Sequence, residues 1–337
     1  MRILRFALLL ASATAQAQLP QHTDVSGLTP YAPADQPLKG TLRVYGNNYI
    51  PALMKRWQEG FQKFHPGVSF TTNLPGTEAA MAGIYSGVAD ISFIGREGYR
   101  SEIRAFKGRF GYEPLGIEIS SGSFGTPHKT FSLEIFVNKD NPLPGLTMDQ
   151  ARAIFGCDDK VKTWGDLGVT GPLAHHKIHV YGYQFDTGMA GFFNRVVLHD
   201  AGTWNADMKD FDNGHDSKGE VINAGNYILK ALAADPDGIA FANLQYTNPD
   251  IKPLGLALHP GDAFVQATPE TIWDRTYPIH RFTTLYINRK PATPVDPLTK
   301  EFIRYILSRE GMQAVVEDHS YTPINEHVAQ QQRQKLE

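Results

Sequence analysis

The sequence predicts an α/β protein built as two lobes around a cleft, and three observations carry that expectation. Short alternating apolar runs typical of strands interleave with 3.6-residue periodicity typical of helices along most of the 337 residues. These units fall into two groups, and the chain leaves the first, builds the second and comes back. Loops bearing Gly, Asn and Thr follow several of the strands, where open parallel sheets bind ligands.

Taken in order, TLRVYG (41–46) reads as a strand and PALMKRWQEGFQKF (51–64) as a helix with Leu53, Trp57, Phe61 and Phe64 on one face, Pro51 suiting its first turn. VSFTTNL, EAAMAGIYSG and ADISFIG continue as strand, helix, strand, which implies parallel pairing through right-handed crossovers. A helix over 100–110 precedes two strands, PLGIEIS and SLEIFVN, and GLTMDQARAIFG places a helix from Met148 to Gly156. The second group holds the strand KIHV, a helix over 189–198, the helix VINAGNYILKALAAD and the strand GIAFANL. FTTLYINR is a strand of the returning chain, and FIRYILSREGMQAVVED reads as one helix with Phe302, Ile306, Val315 and Val316 buried. The expected organisation is a signal peptide at 1–17, a loose leader at 18–39, a first lobe from 40–128 and 265–337, and a second lobe at 129–264.

Composition narrows the function. The chain carries a net charge of −3, with 20% charged residues, so it offers neither nucleic acid nor an anionic membrane a general attraction. Its first residues, MRILRFALLLASATAQAQ, set Arg2 and Arg5 before a short apolar run and end in Ala15-Gln16-Ala17, the pattern of a secretory signal. Cleavage there takes the charge to −5, and the exported product is expected to be a periplasmic monomer. Cys157 is the only cysteine, which excludes an intramolecular disulfide.

Asn48 and Tyr49 precede the first helix, Gly76 and Thr77 the second, and Thr187 and Gly188 open another. Helix starts of this kind grip anions with unpaired N–H groups, or simply cap themselves. Arg96, directly after ISFIG, either binds an oxyanion bidentately or pairs with Glu97 or another neighbouring acid. Asp186 either accepts a proton from a ligand or caps the helix that follows. HHKIH (175–179) has no carboxylate or cysteine at ligand spacing, so neither metal nor cofactor is expected. Nucleophile-elbow, phosphate-loop, zincin and dinucleotide fingerprints are absent from the sequence.

Four segments resemble the PstS-like family of phosphate-binding proteins of ABC uptake systems: GNNYIPALMKRW, GLTMDQARAIFG with KTWGDLG, DPDGIAFANLQY, and YPIHRFTTLYINRKP with the helix-rich end through YTPI. The resemblance covers residues 41–325. It implies a two-lobed type II periplasmic binding protein fold, with crossovers near SLEIFVN and residues 277–284. It further implies an oxyanion, most of all phosphate, held by Asn48, Tyr49, Gly76, Thr77, the segment Gly95-Arg96, Thr187, Gly188 and Met189, and an ABC permease as partner. The family's ligand arginine falls on Tyr183, its acidic partner on Phe185 and its proton-accepting aspartate on Gly95. The expectation is therefore that Arg96 supplies the charge from the other lobe, that Tyr49, Tyr183 or Phe185 stacks on the ligand if it is an organic acid, and that Asp186 completes the set. A different anion, or a phosphate-ester hydrolase using Thr187 or Asp186, remains the alternative.

Overall fold

The computed structural model describes residues 22–337 apart from 36, 125, 127, 128 and 159, so the expected signal peptide lies outside the described residues. The chain begins its first sheet with β1 (Lys39–Gly46), α1 (Pro51–Gln62), β2 (Gly67–Asn73), a 3₁₀ turn (Thr77–Ala79) running into α2 (Ala80–Ser86), β3 (Ile91–Ile94), α3 (Arg100–Phe110) and β4 (Leu115–Ser121). It then crosses to β5 (Leu133–Asn138), β6 (Gly145–Thr147), α4 (Met148–Phe155), β7 (His179–Tyr183), α5 (Gly188–Val196), β8 (Lys209–Phe211) and the ribbon β9 (Gly214–His215) with β10 (Val221–Ile222). α6 (Ala224–Ala233), β11 (Gly238–Asn243), β12 (Ile251–Pro253), β13 (Gly255–Ala257) and α7 (Pro269–Trp273) complete the second lobe. The return consists of β14 (Phe282–Ile287), α8 (Pro297–Ile306), α9 (Arg309–Asp318) and α10 (Glu326–Gln334).

Two five-stranded sheets result, ordered β2-β1-β3-β14-β4 and β12-β5-β11-β7-β8. β1 pairs with β2 and β3 in parallel, as strand-helix-strand units dictate, whereas β14 enters from the other lobe and runs antiparallel to β3 and β4. Each lobe has its own apolar core, one around Trp57, Phe61, Phe93 and Phe302, the other around Phe155, Trp164, Phe193 and Phe241.

The two crossovers lie side by side. Gly122 N–H donates to Arg281 O at 2.8 Å, Ser123 N–H to Thr130 O at 2.7 Å, and Arg281 N–H to Ser132 Oγ at 3.0 Å. Two adjacent connecting segments of this kind are where hinged two-lobed proteins bend on closure.

The described part of the expected leader is packed rather than loose. Val25, Leu28 and Tyr31 are buried in the first lobe's core. Tyr31 Oη donates to Glu301 at 2.7 Å and sits 2.7 Å from His65 Nε2, while Leu38 N–H donates to His65 Nδ1 at 3.0 Å. With Nδ1 accepting, Nε2 carries the ring proton and donates to Tyr31. The prolines that break periodicity there thus shape an extended strap whose few apolar side chains find a groove.

Three further expectations need correction. The return to the first lobe comes near residue 280 rather than 265, because Ile272, Tyr277 and Ile279 belong to the second lobe's core. The strand expected at KIHV begins at His179 and runs on to Tyr183, since Tyr181 and Tyr183 pair with β8. The single long C-terminal helix is two, because Ser308 breaks it: its Oγ donates to Tyr305 O at 2.7 Å and accepts from Gly311 N at 3.3 Å, capping α9. Gly311 is required at that join, where a Cβ would meet Tyr305 O at 2.2 Å, and its carbonyl accepts from Trp57 Nε1 at 2.8 Å.

Candidate functional site

A cleft of about 240 Å³ opens where the two lobes and both crossovers meet. The ends of β1 and β3 and the 3₁₀ turn before α2 bring Tyr49, Gly95 and Thr77 to one wall. The start of α5 brings Gly188 and Met189 from the other lobe, and the end of β11 brings Asn243. Lys129 and Thr130 come from one crossover and Arg281 from the other, with Tyr321 of the returning chain beneath.

Backbone groups at this meeting point are held in place. Gly95 N–H donates to Thr77 Oγ1 at 3.2 Å, so that hydroxyl keeps its own proton to give. Gly95 O accepts from Thr130 Oγ1. Gly95 leaves no room for a side chain, since a Cβ there would lie 2.9 Å from Asn47 Nδ2 and 3.1 Å from Thr77 Oγ1. Across the gap, Thr187 caps α5: its Oγ1 accepts from Ala190 N at 3.2 Å and donates to Gln184 O at 2.8 Å. The N–H groups of Gly188 and Met189 come before the first intrahelical bond and carry the positive end of the helix dipole.

Arg96 lines the cleft, but its guanidinium is committed. It bonds Glu78 through Nε at 3.3 Å and Nη2 at 2.7 Å, Glu102 through Nη1 at 2.8 Å and Nη2 at 2.9 Å, and the Glu97 carbonyl at 3.0 Å. It also stacks on Tyr99, 3.6 Å from the ring centroid. Burial alone would lower its pKa, but the bonds to Glu102 and Glu78 outweigh that and raise it. Two carboxylates around one guanidinium leave no surplus positive charge, so Arg96 organises the β3 loop rather than standing as the free cation expected from the sequence.

The cations available to the cleft are Lys129 and Arg281. Arg281 is 4% exposed, pairs with Glu97 through Nη2 at 2.8 Å and Nε at 3.4 Å, and stacks on Phe192 of α5 at 4.8 Å from the ring centroid. Its Nη1 donates to no described residue. Lys129 donates to Tyr49 O and lies over Tyr321, 5.7 Å from the ring. Burial pushes its ammonium pKa down, and Asp318 opposes that shift.

Of the residues singled out from the sequence, Tyr49, Thr77, Arg96 and Gly188 meet at the cleft, with Gly95 and Met189 beside them. Asn48 and Gly76 flank it, a Cβ on Gly76 falling 3.9 Å from Asn48 Oδ1. The others take different places. Tyr183 is a core residue whose hydroxyl accepts from Asn243 N at 3.1 Å, Phe185 packs on Trp204, and Asp186 is exposed while Thr187 does the capping. Arg281, Lys129 and Asn243 escaped sequence reasoning because they sit on crossovers and a strand end, with no helix-start signature to mark them.

The lobes also touch outside the cleft. Arg195 Nη2 donates to Gly98 O at 3.1 Å, and Arg100 pairs with Asp200 at 2.7 Å. Because the Arg100 side chain is 64% exposed, Asp200→Asn is expected to cost less than about 1 kcal/mol, a loss seen in urea melts at low salt and gone at high salt.

A family model for the PBP superfamily domain matches residues 32–310. The chain belongs to that superfamily. It is 30% identical over 332 residues to the phosphate-binding protein PstS of Pseudomonas aeruginosa, covering 97% of this chain and 93% of that one, which places it with the PstS-like proteins. Among solved structures, PstS from Borrelia burgdorferi aligns at a TM-score of 0.54 with 15% identity, covering 85% of this chain and all of that one. An ABC-type phosphate transport receptor from Vibrio cholerae aligns at 0.51 with 18% identity, covering 83% and 99%. Both likenesses speak for the two-lobed fold of this PBP-superfamily member.

Proposed function

We propose that the protein is an exported solute-binding protein that closes its lobes on phosphate in the cleft and hands it to an ABC permease. The observation that carries this reading is the meeting of Arg281, Lys129 and the N–H groups at the start of α5 at one interlobe point. A desolvated tetrahedral anion suits such a donor set without any metal. The name borne by the Pseudomonas aeruginosa relative supports the choice of anion. Tyr49, Thr77, Gly95, Gly188 and Met189 join the ligand set, and Asn48 and Gly76 shape its rim.

Two features favour hydrogen phosphate over sulfate. Asn243 lines the cleft, and its buried Oδ1 has no donor among the described residues. Glu78 also lines the cleft, and its carboxylate oxygens, held by Arg96, are hydrogen-bond acceptors. A ligand with an O–H can donate to one of them, whereas sulfate has no proton to give to either. Capture without chemistry is favoured over ester hydrolysis because the Thr187 hydroxyl already donates to Gln184 O. No described helix is long and apolar enough to cross a membrane; periplasmic residence as a monomer belongs to the same proposal.

The test is calorimetry and thermal shift with phosphate, sulfate and a dicarboxylate. Phosphate at a hundred times its dissociation constant stabilises the fold by about 2.7 kcal/mol. Lys129→Met, at a half-buried site, weakens phosphate binding by about tenfold or more with little loss of stability, since a hydrogen bond to a charged group contributes roughly 1.5–3 kcal/mol. Absence of any shift with millimolar phosphate sinks the proposal.

A further inference from the structure

We propose that His176, His179, Asp235 and Asp237 form a binding site for one divalent transition-metal ion of the zinc class, at the end of the second lobe remote from the cleft. The site arises from strand register. β7 and β11 are parallel neighbours in which His179 pairs with Gly238, so the loop HHKIH entering one and the turn DPDG entering the other are brought to the same sheet end. Tyr183 and Asn243, which lie at or beneath the cleft, are at the opposite ends of these strands. At about 3.3 Å per residue the distance from His179 to Tyr183 along β7 is roughly 13 Å. The carboxylates that the sequence neighbourhood of the histidines lacks are thus supplied by tertiary structure.

The donor geometry is near that of a coordination shell. Ligand atoms of His179, Asp235 and Asp237 all lie within 4.8 Å of one another. His179 Nδ1 is 2.8 Å from Asp235 Oδ2, and His176 Nδ1 is 2.8 Å from Asp237 Oδ1. Nitrogen and oxygen ligands held about 2.0–2.2 Å from a zinc-class ion lie roughly 2.9–3.4 Å apart, so each His–Asp pair already approximates one edge of the polyhedron. His176 lies outside that group of three, and with the histidine side chains 51% and 47% exposed both rings have room to turn toward a shared ion.

Asp235 is further positioned from behind. Tyr181 Oη donates to its Oδ2 at 2.7 Å and Asp237 N–H to its Oδ1 at 3.0 Å. Such hydrogen bonds orient metal ligands and tune their affinity. Two imidazoles and two carboxylates are a borderline donor set, which suits Zn²⁺, Co²⁺ or Ni²⁺ better than Ca²⁺ or Mg²⁺. The ion would clip the start of β7 to the start of β11.

The experiment uses the protein without an affinity tag, stripped with a chelator and held in phosphate-free buffer at neutral pH. Zn²⁺ is titrated by calorimetry and Co²⁺ by visible absorption. One saturable equivalent per chain is expected. His179→Ala and the near-isosteric Asp237→Asn each weaken it by about tenfold or more, Tyr181→Phe by a smaller factor, and phosphate affinity stays unchanged in all three. No saturable Zn²⁺ binding at micromolar concentrations, or binding that both Asp237→Asn and His179→Ala leave intact, overturns the site and leaves a His–Asp hydrogen-bond ladder.

Discussion

Arg281→Met is expected to abolish phosphate capture and to cost the fold about 3–5 kcal/mol, the usual penalty for removing one partner of a buried ion pair. Two separate losses are combined in that variant. Glu97, 7% exposed, is left as a buried carboxylate without its guanidinium, and the cleft loses its most buried cation. The stacking on Phe192 goes as well, and with it a contact between a crossover and α5 of the second lobe. Adding Glu97→Gln separates the two effects, since the double variant no longer buries an unpaired charge. Urea melts should show it regaining much of the stability, while calorimetry still finds no phosphate binding. An Arg281→Met protein that binds phosphate within about threefold of the parent, less than 1 kcal/mol, would remove Arg281 from the ligand set.

The second large effect concerns pH. Glu134 lies on β5 with its carboxyl beside a cavity of about 300 Å³ walled by Phe124, Phe136 and Leu244. It is 8% exposed and makes no hydrogen bond or ion pair with any described residue. Burial pushes its pKa up from 4.5 to about 8. Across that window the folded protein keeps a proton that the unfolded chain has released. The stabilisation linked to this proton is therefore complete below about 4.5 and disappears as pH rises through 8. The whole interval corresponds to roughly 5 kcal/mol at 1.36 kcal/mol per pH unit, so urea midpoints of the parent should fall steeply between mildly acidic and mildly alkaline pH. Glu134→Gln, neutral throughout, should flatten that fall and be the more stable protein on the alkaline side. Parallel profiles for the two proteins would show that the carboxyl is ionised and solvated at neutral pH.

The sequence carried a good part of this fold because the signals are local. Thr147 and Gln150 announce α4 through a reciprocal cap, with Gln150 N–H donating to Thr147 Oγ1 at 3.2 Å and Thr147 N–H to Gln150 Oε1 at 2.9 Å. Pro51 marks the first turn of α1, and the apolar stripe of that helix faces the core at Leu53, Trp57 and Phe61. Cleft residues that follow strands or open helices, such as Tyr49, Thr77 and Gly188, were legible for the same reason. The break at Ser308 was not, because the apolar periodicity continues across it and hides the serine cap that starts α9.

What the sequence determined alone is the alternation of elements, the two-lobed plan and several of the loops that line the cleft. Local propensity and apolar spacing suffice for those. Tertiary structure alone decided which guanidinium keeps an N–H to spare beside the cleft. Arg96, the cation beside the strand loop, is neutralised by Glu78 and Glu102, while Arg281 arrives from a hinge far along the chain. It likewise brought Asp235 and Asp237 to His176 and His179. Electrostatic interactions depend on distance in space and on burial, and neither is written in the spacing of residues along a chain.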